Sequence, residues 1–372
     1  MEQVGNAKIA NGGEFEMKVL YIGHYRDGTG WGNAALNNIL AMDAAGVNVV
    51  PRAITYEVED REYPDRIKQL EQQSHLGCDI VVQHTIPTNY VYDCNYKNIG
   101  CFCIESDNLK PTGWVDHLNL MDEVWVACLA NKIIAEKSGV TTPIKIVPYS
   151  LDLNKYQYPQ GNQIDELQNN FTFGFVGEFI ERKNLKALVK AFHMEFDPKE
   201  PVNLFIKTSR TTLEGAQKYL QHIKNGLKIR QNYKEEIVLT GMIDEKDYIS
   251  VLNQIDCFAM PSRGEAFCIP GLECMALGKP AIYTKGTGMD YLVGYPVEAH
   301  KAPCFGAVDA MPYIDTAESN WLEIDIIRFA KTMRQVYTNY DQDRLSKKCK
   351  EAAAVFSHEK VGSVIKDYLN DS

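Results

Sequence analysis

Residues 256–283 read DCFAMPSRGEAFCIPGLECMALGKPAIY. Asp256–Met260 is a short apolar run of strand type, a loop rich in Gly and Pro follows, and Gly271–Leu277 has helical spacing. Gly278 and Pro280 then break the helix before a second strand at Pro280–Tyr283. Strands joined through a helix run parallel, and parallel sheets need helices on both faces, so the unit predicts an α/β protein. The same alternation continues upstream, with strands predicted at Phe171–Val176, Asn203–Lys207 and Glu236–Thr240 and helices near Leu185–Phe196, Thr212–Asn225 and Lys246–Gln254.

An earlier series has the same form. Its strands are predicted at Lys18–Ile22, Val47–Val50, Asp79–Gln83, Gly100–Ile104, Glu123–Ala127 and Lys145–Val147, and its helices near Asn33–Ala45, Pro64–His75, Gly113–Met121 and Leu129–Ser138. Between the two series, YSLDLNKYQYPQGNQIDELQNN after Pro148 is polar, contains Pro and Gly, and lacks periodicity, as a linker does. After about Ser319 strands are expected to cease and three helical stretches to follow. The predicted organisation is a flexible tail at 1–16, a first doubly wound domain at 17–160, a second at 161–340, and helices at 341–372 that pack back across both. The ligand crevice then lies between the domains, outside the carboxyl ends of the strands.

Composition agrees with a globular enzyme-sized chain: 372 residues, 45% hydrophobic and 24% charged, long enough for two cores. A formal net charge of -10 gives no long-range attraction to nucleic acid or to anionic lipid. No apolar run reaches the length of a membrane span, and the opening MEQVGNAKIANGGEFE has no hydrophobic core of a signal peptide, so a cytoplasmic protein is expected. The ten cysteines, several inside apolar runs, are expected to be reduced and buried, and their spacing offers no zinc site.

Three loops after strands carry candidate chemistry. Gly28, Gly30 and Gly32 precede a helix, where the backbone can approach a ligand and helix amides can bind an anion, or where the chain merely turns. Arg182 and Lys183 stand just before an amphipathic helix. Cations are unfavourable at that end of the helix dipole, so a bound diphosphate is the better reading than a solvated basic pair. Glu265 and Glu273, eight residues apart, flank a strand-end loop and a short helix; Glu273 sits among Ile269, Leu272, Met275 and Leu277 and needs a hydrogen-bonding partner there, such as ribose hydroxyls. The spacing by itself is uninformative, since Glu351 and Glu359 repeat it.

Pro261, Ser262, Glu265, Phe267, Glu273, Gly278 and Pro280 together resemble the signature of retaining glycosyltransferases of the GT-B fold, family 4. The likeness extends to VLTGMIDEKDYISVLNQIDCFAMPS, to Arg182–Asn184, to the GTGWG loop and to ESDNLKPTGWVDHLNLMDEVWVACLANKIIAEKSGV. It implies two tandem Rossmann-like doubly wound domains. It further implies that Arg182 and Lys183 hold a donor diphosphate, Glu273 the ribose, and Glu265 the donor sugar or adjacent phosphate. Gly30, Trp31 and Gly32 close over the donor from the first domain, and Gly177, Gly241, Met242, Phe267, Cys268 and Ile269 complete its site. Many relatives have an active-site histidine where this chain has Glu105; His84 is an alternative polar group facing the cleft. Glu178 replaces an arginine common in relatives, and Cys268 replaces a glycine.

The expected activity is transfer of a sugar from a nucleoside-diphosphate sugar, UDP- or GDP-linked, to a hydroxyl of a glycan, glycolipid or protein, with retention at the anomeric carbon. Cations at the diphosphate make a metal or other cofactor unnecessary in this reading. The alternatives are a nucleotide-sugar epimerase or phosphorylase of the same fold, and a non-catalytic nucleotide-sugar binding or scaffold protein.

Overall fold

The computed structural model describes residues 17–55, 62–304 and 318–371. The expected tail at 1–16 lies outside these. The first sheet is formed by β1 Lys18–Gly23, β2 Asn48–Ala53, β3 Ile80–His84, β4 Lys97–Cys101, β5 Glu123–Val126 and β6 Ile144–Ile146, all parallel, in the order β2-β1-β3-β4-β5-β6. Its helices are α1 Gly30–Ala44, α2 Asp65–Glu71, α3 Trp114–Leu118 and α4 Leu129–Ser138. Local chemistry sets their ends. Thr29 caps α1 by accepting from the Gly32 amide, and Gly139 ends α4 in the left-handed conformation, φ 107°, that glycine adopts without steric cost.

The second sheet comprises β7 Phe171–Val176, β8 Val202–Lys207, β9 Ile237–Leu239, β10 Cys257–Met260, β11 Ala281–Thr284 and β12 Gly294–Val297, interleaved with α5 Leu185–Glu195, α6 Leu213–Leu227, α7 Glu245–Asn253 and α8 Ile269–Ala276. It too is parallel, in the order β12-β11-β10-β7-β8-β9, so the winding reverses between β7 and β10. Two doubly wound α/β domains are therefore present.

Strands do not cease at Ser319. β13 Ala299–Pro303 pairs antiparallel with β14 Asn320–Ile324, and only then come α9 Ile326–Thr338, α10 Gln342–Ala353 and α11 His358–Asn370. The sequence hid this hairpin because AHKAP lacks the β-branched residues that mark strands and its partner is distant. β4 also begins and ends earlier than expected. Its ladder with β5 stops at Cys101 opposite Trp125, so Phe102–Ile104 leave the sheet while staying buried, and Glu105 stands beyond them.

One hydrophobic core fills the second domain, and another lies on one face of the first sheet under α1. The latter includes Val361, Ile365 and Leu369 of α11, so the last helix returns to complete the first domain. The chain thus crosses between domains twice, near Leu151 and near Ser357. The crossings run side by side: the Leu151 amide donates to the Phe356 carbonyl at 2.9 Å and the His358 amide to the Leu151 carbonyl at 3.2 Å.

Candidate active site

The reversal between β7 and β10 brings two loops together at the carboxyl edge of the second sheet, where ligands of open α/β sheets bind. Glu181–Lys183 form a single 3-10 turn after β7, and Asn184, left-handed at φ 54°, redirects the chain into α5. The loop after β10 is sewn to this turn, because the Arg182 carbonyl accepts from the Arg263 amide at 2.7 Å and from the Ser262 hydroxyl at 3.1 Å.

Charge converges at this junction. Arg182 donates to the Gly264 carbonyl at 2.6 Å and to Glu265 Oε1 at 3.1 Å, and Lys183 donates to the same oxygen at 2.7 Å. Glu105 of the first domain lies 3.4 Å from Arg182 Nη2, the closest of these groups to bridge the domains. The Glu265 side chain is 6% exposed. Its burial alone would raise its pKa, but the Lys183 and Arg182 charges outweigh this and hold the carboxyl below its usual value. Burial likewise opposes charge on Arg182, and Glu105 and Glu265 reverse the balance and keep the guanidinium charged. Two cations and two carboxylates form a locally neutral, water-poor set in which an arriving diphosphate would exchange with the carboxylates for the cations.

Glu273 has found partners other than a ligand. Tyr248 of α7 donates to Oε2 at 2.7 Å and Tyr156 of the linker to Oε1 at 3.2 Å. Burial nevertheless pushes its carboxyl up to about 7, the two phenols opposing that shift. Phe267 is buried with its ring stacked on Tyr291 at 4.4 Å and beside Tyr149 at 5.1 Å, so its ring belongs to an aromatic cluster and only its backbone is left for contact. Cys268 caps α8 at φ 68°, ψ 72°, the conformation glycine takes easily, and Tyr291 Oη donates to its carbonyl at 3.0 Å. Ile269 opens α8 beside it.

The remaining expected residues are distributed around this centre. Gly177 follows β7, its amide bonded to the Lys207 carbonyl at 3.0 Å. Glu178 accepts from the Thr208 and Ser209 hydroxyls and from the Ser209 and Arg210 amides, and so fastens the loop after β8. Gly241, at φ 77°, accepts from Lys207 Nζ at 2.6 Å, and Met242 beside it is exposed. Gly30, Trp31 and Gly32 form the first turn of α1. A side chain at 32 would meet Asp27 Oδ1 at 2.1 Å, because Asp27 folds over the turn to accept from the Thr29 amide and hydroxyl. His84, expected to face the cleft, is fully buried beside the seam. It ends β3 at zero exposure, its Nδ1 2.7 Å from Tyr21 Oη, with Trp31 and Tyr149 over it, and burial followed by the nearby His24 lowers its pKa to about 3.

Residues that sequence reasoning did not single out close the seam. The Asp107 carboxylate accepts from the Asn320 amide at 2.7 Å and from Lys301 Nζ at 2.7 Å, joining the loop after β4 to the β13–β14 hairpin. A cavity of about 60 Å³ lies there, lined in part by Glu105, Asn131, Glu265, Thr287 and Trp321. That is small beside the roughly 300–1,000 Å³ of ligand pockets, so this cavity as it stands does not hold a large ligand. The one Asp-x-Asp in the chain, Asp341–Asp343, lies outside this region, where Asp341 caps α10 through the Arg344 amide.

The sequence model of the family described as glycosyl transferases group 1 matches residues 160–297. Over 215 residues the chain is 25% identical to the UDP-Gal:alpha-D-GlcNAc-diphosphoundecaprenol alpha-1,3-galactosyltransferase of Escherichia coli, covering 54% of each chain. Over 120 residues it is 26% identical to the serotype-specific mannosyltransferase WbdA of Escherichia coli, covering 31% of this chain and 14% of that one. These curated relatives are thus matched over well under two thirds of their length. Among solved structures, HepE of Anabaena in complex with UDP-glucose superposes with a TM-score of 0.64 at 14% identity, covering 96% of this chain and all of that one. The molecule is accordingly a two-domain protein of GT-B fold whose residues 160–297 match the sequence model described as glycosyl transferases group 1.

Proposed function

We propose that the protein transfers a sugar from a UDP-sugar to a hydroxyl of a glycan, free or carried on lipid or protein, with retention of the anomeric configuration and without a metal. The observation that carries the reading is the meeting of Arg182 and Lys183 with Glu265 at the reversal of the second sheet, and with Glu105 across the seam. In this reading the two cations turn from the carboxylates to the donor diphosphate and stabilise the charge that develops on it as the glycosidic bond breaks. In the same reading Glu265 then meets the donor sugar or the adjacent phosphate, and Glu273 receives the ribose. UDP as the nucleotide is supported by UDP-Gal in the name of the galactosyltransferase relative and by UDP-glucose in the HepE structure. Closure of the seam would exclude water that otherwise hydrolyses the donor.

The test is thermal stabilisation by UDP-, GDP- and ADP-sugars without added metal, in the wild type and in Arg182→Ala and Glu273→Ala, since a ligand that binds only the native state raises its stability. Stabilisation by UDP-sugars that both variants lose supports the donor site, and product anomers read by NMR then decide retention. No stabilisation by any nucleotide sugar overturns the reading. Glu105 in place of the histidine of relatives favours one second reading, a nucleotide-sugar binding protein without turnover, which binding without transfer would support.

A further inference from the structure

Glu273 lies on α8, and the two phenols that reach it come from different parts of the second domain's surroundings. Tyr248 sits on α7 and Tyr156 closes the 3-10 turn Leu153–Tyr156 of the interdomain linker. Tyr156 is 5% exposed. The linker at this point is itself fastened along α7. Lys155 pairs with Glu245 at 2.8 Å, the Asn162 amide donates to Asp247 at 2.8 Å, and the Ser250 hydroxyl donates to the Gly161 carbonyl at 2.9 Å.

A carboxylate has two acceptor positions on each oxygen. Tyr248 takes one on Oε2 and Tyr156 one on Oε1, which leaves one on each oxygen. Two acceptor positions at carboxylate spacing suit the two hydroxyls of a vicinal diol. Each phenol also donates only to the ionised or acceptor side of the group and opposes the protonation that burial favours. The other groups acting on Glu273 are Glu245, which disfavours its charge, and Lys155, which favours it; Cys274 and Tyr291 stand nearby and lack a charge of their own at neutral pH.

We propose that Tyr156 and Tyr248 are positioning residues for the donor, their hydroxyls donating to the carboxylate form of Glu273 and orienting it so that the free side of both oxygens receives the ribose diol. The inference rests on the reading above in which Glu273 binds ribose. It adds that the linker, through Tyr156, is part of the nucleotide site.

The experiment is calorimetric titration of the full chain with UDP-glucose between pH 5.5 and 8.5, in the wild type, Tyr248→Phe, Tyr156→Phe and Glu273→Gln, with folding of each variant checked by circular dichroism. UDP-glucose has no group titrating in this range, so a pH dependence belongs to the protein. Wild-type affinity is expected to strengthen as pH rises through about 7. Each Tyr→Phe variant is expected to move that midpoint upward by about one unit, weakening binding at pH 7 by about fivefold, with recovery at pH 8.5. A merely structural role for the phenols would lower affinity equally at every pH and leave the midpoint in place, which overturns the proposal. The parent reading fails separately: Glu273→Gln binding as tightly as the wild type at every pH removes ribose from Glu273. Absence of binding by UDP-, GDP- and ADP-glucose alike removes the donor site and this inference with it.

Discussion

The carbonyl oxygen of Glu105 faces the Cα of Gly264 across the seam so closely that a methyl group on Gly264 would stand 1.9 Å from it. Backbone, not a yielding side chain, is what the methyl meets. Gly264→Ala is therefore expected to hold the domains apart while leaving the second domain intact. Turnover should fall by at least about tenfold, because reacting groups would be misplaced by an ångström or so, while nucleotide-sugar affinity changes by less than about threefold. Steady-state kinetics beside calorimetric titration checks both halves.

Lys183 is the nearest cation to a carboxylate that is nearly inaccessible to water. Lys183→Met leaves Glu265 with Arg182 alone, and removal of one partner from a buried pair costs about 3–5 kcal/mol at the upper end. Because the folded pKa of Glu265 lies below its ordinary 4.5, the stability from its ionisation is present above that value and disappears as pH falls through the folded pKa. Urea denaturation should show a loss of about 2–4 kcal/mol at pH 7 that shrinks on acidification below pH 4.5.

Glu273 has the opposite sign. Its folded pKa of about 7 lies above the ordinary 4.5, so the native state binds the extra proton between these values and stability falls as pH rises across that window. Glu273→Gln lacks the ionisation. The variant is expected to gain on the wild type by about 1–3 kcal/mol between pH 4.5 and pH 7.5, discounted for partial exposure, and denaturation at several pH values reads the slope directly.

Cys268 holds a left-handed conformation, φ 68°, that costs a residue with a side chain about 1 kcal/mol relative to glycine. Cys268→Gly is expected to raise the melting temperature by about 2 °C, reduced by whatever the buried thiol contributes to packing. Differential scanning calorimetry measures it.

The parts of the architecture that depend on local pattern were legible. β7 and α4 have the bounds their sequences predict, and the alternation of short apolar runs with helical spacing suffices for two doubly wound sheets. Arg182, Lys183 and Glu265 could be assembled because each follows a strand, and strand ends meet where a sheet reverses. What stayed hidden depends on tertiary placement. Tyr156 meets Glu273 from 117 residues away, and Asp107 meets the Asn320 amide from 213 away, with nothing in the spacing to pair them. The burial of His84 was hidden for the related reason that a strand-end position says nothing of the Trp31 and Tyr149 rings that cover it. The β13–β14 hairpin escaped because its strands are separated in sequence and half exposed.

The return of α11 to the first domain also orders events during synthesis. Val361, Ile365 and Leu369 pack with Val19, Ile39 and Val147, so a core begun by the first strand waits for a helix translated about 220 residues after the last first-domain strand. At roughly 5–20 residues per second that delay is roughly 10–45 s. The second domain, whose core is complete by Ala353, can fold while the first still lacks one wall. A nascent chain in that interval would expose the apolar side of α1, and it is there, on the half made first and finished last, that a chaperone would find something to hold.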